Sequence, residues 1–81
     1  MLNPKALGLA LAVVFAGLWA LIMGLSLTTG FGYLTVSALG GLHPFFSYSW
    51  LGLIVISFEH FIFGFVAGWV LAVVYNKFRD H

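Results

Sequence analysis

No cysteine occurs among the 81 residues, which excludes a disulfide, a thiolate metal site, iron–sulfur ligation and a thiol nucleophile. Charge is nearly absent too. Three Lys or Arg and two Asp or Glu make up 6% of the chain, where a soluble domain carries about 25%. So small a particle has a high surface-to-volume ratio, and five charges cannot coat it with groups that hold water. A net charge of +1 excludes the basic stripe that nucleic-acid binding requires, and no block of Lys or Arg marks an electrostatic lipid switch. Lys5, Lys77, Arg79 and Asp80 lie near the chain ends, which leaves Glu59 as the one interior charge.

What fills the chain instead is apolar: 63% of residues are hydrophobic and 19% aromatic, which is membrane composition. From Ala6 to Leu27 there is no charged residue, and this run reaches about 33 Å as a helix, enough for a bilayer core of about 30 Å. It is longer than the apolar core of a signal peptide, and Ser26 to Gly30 offers no convincing cleavage site. A second run, Trp50 to Tyr75, is interrupted only by Glu59 and His60 and spans with some tilt. Between them, glycines at 30, 32, 40 and 41 and Pro44 supply turn chemistry. The expected fold is therefore all-α: one domain over 1–81, a hairpin of two transmembrane helices with a first span 6–27, an interfacial loop 28–49 of roughly 20 residues and a second span 50–75. Tyr33 to Leu39 is expected to form a short helix against the membrane surface.

Lys5, Lys77 and Arg79 sit at the ends and the loop has no basic residue, so the distribution of positive charge predicts both termini in the cytoplasm. Tyr48, Trp50 and Tyr75 suit the aromatic belts, and Asn3 before Pro4 reads as an N-cap with proline at the first helical position. Gly8, Ala12, Ala16, Ala20 and Gly24 recur every fourth residue in the first span, as do Gly64, Gly68 and Ala72 in the second. Such small-residue ridges let helix backbones approach closely, which is what holds helices together where lipid supplies no hydrophobic drive. Counting down from the loop sets Gly64 and Gly68 at the depths of Ala12 and Gly8. The first ridge drifts by about 40° per step around its helix, so one end of it is free to serve another chain.

Glu59 and His60 are the chemical anomaly. Glu59 lies nine residues, about 13 Å, below Trp50, where a charged side chain costs on the order of 3 kcal/mol on insertion scales. The sequence expects a neutral, hydrogen-bonded acid there, with the Trp19 indole N–H as partner; a contact with another subunit and proton handling are the alternatives. Trp19, Glu59 and His60 thus form the expected set of buried polar residues. His60 shares the face of Gly64 and Gly68 and should hydrogen-bond between helices, and adjacent residues diverge by about 100°, so Glu59 and His60 do not meet at one metal ion. His43 reads as a loop residue and His81 as a solvated end. No catalytic residues, no metal motif and no cofactor site are expected.

Residues 4–11 (PKALGLAL), the segment from Pro44 to Tyr48, residues 58–65 (FEHFIFGF) and residues 74–78 (VYNKF) resemble the small two-span bacterial membrane proteins that are labelled holin-like or left without a function. The resemblance implies a helical hairpin with an acidic residue in the second span, here Glu59, a Tyr-Asn exit at Tyr75 and Asn76, and, through the holin label, oligomeric lesions of the inner membrane. The residues themselves favour a non-catalytic accessory or structural subunit, with membrane lipid and other integral membrane subunits, or further copies of the chain, as partners. A pore of this chain alone would have an almost wholly apolar wall.

Overall fold

A computed structural model of the chain describes residues 1–79 and contains three helices, α1 (Pro4–Thr29), α2 (Tyr33–Gly40) and α3 (Trp50–Arg79). Asp80 and His81, the latter expected as a solvated end, lie outside the described residues. α1 starts where the Asn3 side chain accepts the Ala6 N–H at 3.1 Å with Pro4 in the first turn, and ends at Gly30, whose left-handed φ of 79° turns its N–H back to the Ser26 carbonyl at 2.7 Å. Ser49 opens α3: its hydroxyl accepts the Gly52 N–H at 3.1 Å and its carbonyl accepts the Leu53 N–H at 2.9 Å. Lys77 and Arg79 lie in the last turn, where cations complement the helix dipole. α1 and α3 are both long and apolar enough to cross a membrane, and they pack against each other as an all-α hairpin.

The hairpin closes backbone to backbone at the end that holds both termini. A methyl group built on Gly64 would stand 2.6 Å from the Leu11 carbonyl oxygen and 2.8 Å from Ala12 Cα; one on Gly68 would stand 2.7 Å from both Gly8 Cα and the Leu7 carbonyl oxygen. Ala12 and Ala72 are fully buried beside them. Towards the loop the ridge of α1 rotates out of the seam. Ala16 and Ala20 are half-buried, and Gly24 meets only the tip of Leu53, at 3.7 Å.

That opening is filled by the connection, which folds back along the hairpin. Three layers show its path. Tyr33 packs edge-on to Tyr48 at 4.7 Å in the layer of Ser26; Val36 is buried with Met23 and Ile56; and His43 lies beside Trp19 and His60. From Ser26 to Trp19 is seven residues, about 10 Å of helix, so α2 runs down beside α1 instead of lying across the membrane surface. The reason is the apolar gap left by the drifting ridge, which Val36 closes.

The chain returns upward through Pro44 to Ser49. Phe45 adopts a left-handed φ of 61°, a genuine outlier for a bulky side chain, and Gly40 is buried under the Phe46 ring, which a side chain at position 40 would have to displace. The Tyr48 hydroxyl donates to the Ser26 carbonyl at 3.0 Å, and with its single proton so placed it accepts from Ser26 Oγ at 2.6 Å. Tyr48→Phe is therefore expected to lower stability by about 1 kcal/mol and to speed amide exchange in residues 42–49. Unchanged exchange would mean that the hydroxyl does not hold the returning segment.

At the other end, Asn76 Nδ2 donates to the Leu2 carbonyl at 2.7 Å and Asn76 Oδ1 accepts the Leu2 N–H at 2.8 Å. The two ends of the chain are thereby clasped, a role beyond the exit position expected of this residue.

Candidate functional site

The polar chemistry of the hairpin converges at the lower tip of the connection. His60, on α3, sets its Nδ1 3.0 Å from the Ile56 carbonyl oxygen, and His43, just past α2, sets its Nδ1 3.1 Å from the Leu39 carbonyl oxygen. A carbonyl only accepts, so each contact places a proton on Nδ1 and, in the neutral imidazole, leaves Nε2 with a free lone pair. No hydrogen bond is made by either Nε2 among the described residues. The rings lie 4.7 Å apart between centroids at 35°, and Trp19 covers both, at 5.1 Å from His60 and 5.8 Å from His43.

Glu59 stands next to this pair and shares with it a cleft of about 200 Å³ lined by His43, Glu59, His60 and Phe63. Its Oε1 is buried and has no hydrogen-bond partner. Two serine hydroxyls, Ser37 Oγ and Ser57 Oγ, are in the same condition but belong to no such cluster. A second cleft of about 420 Å³, lined by Phe45, Ile54, Val55, Phe58 and Ile62, has Glu59 in common with the first. A third touches His60 and Phe63 from the side of Phe15 and Trp19.

The expected Glu59–Trp19 hydrogen bond does not form. The Trp19 ring is taken up by the two imidazoles, and Glu59, roughly 100° away from His60 on α3, turns to the cleft instead. Trp19, Glu59 and His60, expected as buried, are each half-buried. His60 bonds within its own helix and not between helices. His43, read as an ordinary loop residue, is the member that sequence reasoning missed. The one signal for it is its place two residues after Gly41 and directly before Pro44, as the only titratable side chain between the two tyrosines of the connection.

No three of His, Cys, Asp and Glu among the described residues are placed to hold a metal ion. Of the remaining site candidates, Gly8, Gly64 and Gly68 are consumed in backbone contact inside the hairpin, whereas Gly17, absent from the expected ridge, is exposed with nothing within 4 Å of a built methyl. Comparison with family models, with curated proteins and with solved structures gives no match.

Proposed function

We propose that this chain is a non-catalytic integral membrane subunit, an accessory or structural part of a larger assembly of membrane helices. The observation that carries the reading is the contrast between glycines. The hairpin seam is closed by Gly8, Gly64 and Gly68 against backbone, so it leaves no conduit between α1 and α3. Gly17 remains open on an outer face beside exposed Val13 and Ala10, a smooth strip suited to a further helix in lipid. Purification in mild detergent from the native host, with mass identification of co-migrating proteins, tests this: the wild-type chain retains a membrane partner and Gly17→Leu loses it while remaining folded. Retention by Gly17→Leu would sink the proposed docking strip.

The same strip would also accept a second copy, which supports a holin-like homo-oligomer as the alternative reading. Regulated expression of the chain alone in a bacterial host separates the two. The accessory subunit is inert; a holin halts respiration and releases small solutes.

The basic residues Lys5, Lys77 and Arg79 support placing both termini in the cytoplasm of a bacterial cell. The chain has no native cysteine, so Leu2→Cys and Phe31→Cys, exposed in the turn between α1 and α2, give clean labels. An impermeant thiol reagent applied to intact cells is expected to reach position 31 and not position 2; the reverse pattern would invert the orientation.

A further inference from the structure

The cleft at the tip of the connection is rich in acceptors. His43 and His60 have both committed their Nδ1 protons to main-chain carbonyls, which leaves two imidazole lone pairs, and Glu59 Oε1 is a buried oxygen without a partner. As a carboxylate, or as an acid protonated on Oε2, Glu59 presents this oxygen as a third acceptor. A buried acceptor left unpaired is costly, so Glu59 Oε1, with two imidazole lone pairs lining the same cleft, selects for a ligand that brings donors.

The group that matches three acceptors with three donors and adds no acceptor of its own is a primary ammonium. A hydroxyl brings one donor, and a quaternary ammonium brings charge without any. A metal ion asks for ligands at about 2.0–2.2 Å from the ion, a convergence that no three such side chains offer among the described residues, whereas N–H hydrogen bonds reach to about 2.9 Å. The remainder of the ligand is indicated by the second cleft. It shares Glu59 with the first as a lining residue, it is walled by Phe45, Ile54, Val55, Phe58 and Ile62, and it fits an alkyl chain. Phe45 reaches that wall from the left-handed backbone conformation that is the only positive φ outside glycine among the described residues, a strained placement of the kind that collects at binding sites.

We propose that this pair of clefts binds a single-chain lipophilic primary amine from the bilayer, its ammonium held by Glu59, His43 and His60 and its alkyl chain along Phe45 and Phe58. The site belongs to the chain by itself and does not depend on the accessory-subunit reading.

Glu59 is the only glutamate in the sequence, so a chain labelled with ¹³Cδ-glutamate gives one side-chain carboxyl resonance. The folded wild-type chain, in nanodiscs of phosphatidylcholine, is titrated with dodecylamine, dodecyltrimethylammonium and dodecanol. Dodecylamine is expected to shift the Glu59 signal saturably. The trimethylammonium analogue, equal in charge but without N–H donors, is expected to bind at least about tenfold more weakly, as is dodecanol. His43→Leu, at the tip of the connection, is expected to weaken dodecylamine about tenfold while the backbone spectrum stays that of the folded chain. In ¹⁵N-histidine spectra His43 and His60 carry the proton on Nδ1.

Equal binding of the three amphiphiles, an absence of saturation, or Nε2–H tautomers at both histidines would overturn the proposal. So would a full shift on exchanging phosphatidylcholine for phosphatidylethanolamine before any amine is added, which would assign the site to a lipid headgroup. A shift that follows protein concentration alone would assign the carboxyl to a second copy of the chain.

Discussion

Gly64→Leu and Gly68→Leu are expected to force α1 and α3 apart and to lower the stability of the hairpin in detergent by about 3 kcal/mol or more, the upper part of the range for overpacking. The magnitude follows from what the new side chain meets. At both positions the nearest atoms are main-chain atoms of α1, at 2.6 to 2.9 Å from the first added carbon, and a main chain within a helix cannot step aside as a side chain does. Even Gly64→Ala is expected to be felt. Gly24→Ala, facing a flexible leucine tip at 3.7 Å, and Gly17→Leu, facing open space, are the internal controls and are expected to leave the unfolding temperature nearly unchanged. Thermal unfolding followed by circular dichroism, together with the distance between spin labels on exposed Val14 and Val66, measures both the loss and its cause. Equal tolerance at positions 17 and 64 would mean that the seam described above is not the packing surface.

The second large effect is expected at Glu59, with a sign opposite to the one the sequence suggests. Were the carboxyl paired with Trp19, Glu59→Leu would strand the indole N–H and cost about 1–3 kcal/mol. With Oε1 buried and unpaired, and Trp19 engaged by the two imidazoles, Glu59→Leu removes an unsatisfied acceptor and is expected to leave the isolated chain as stable or to stabilise it by about 1 kcal/mol. Glu59→Gln, which keeps an acceptor of the same shape, is expected to stay near the wild-type value. Chemical unfolding of the purified variants in one detergent makes the comparison. A clear destabilisation by leucine that glutamine does not share would restore a partner within the chain. The expected result implies that the carboxyl serves a contact from outside the hairpin, since the fold alone would be no worse without it.

These two cases show where the sequence is readable and where it is not. The spans, the Asn3–Pro4 start, and the meeting of Gly64 and Gly68 with Ala12 and Gly8 all rest on periodicity or on local capping chemistry, which one stretch of sequence carries in full. Depth counting was enough to align two antiparallel helices whose small residues repeat at the same interval. The path of the connection rests on single contacts between distant residues, His43 with His60, Tyr48 with Ser26 and Asn76 with Leu2, and none of these leaves a repeating signal. α2 was legible as a helix from Tyr33 onward, yet its direction depends on a gap that exists only once α1 and α3 have diverged. For the same reason His43 could not be placed: its neighbours are set by three elements at once.

The clasps at the two ends of the hairpin solve a problem that the ridge itself creates. A slide of four residues, about 6 Å, brings another small residue of α1 opposite Gly64 after a rotation of only about 40°, so the ridge by itself sets the register loosely. Tyr48 on Ser26 above and Asn76 on Leu2 below are each satisfied at a single setting, and they stand at opposite ends of a molecule 49 Å long. Together they act as index pins on a ratchet: the repeating surface supplies close contact at several settings, and the pins choose which tooth engages.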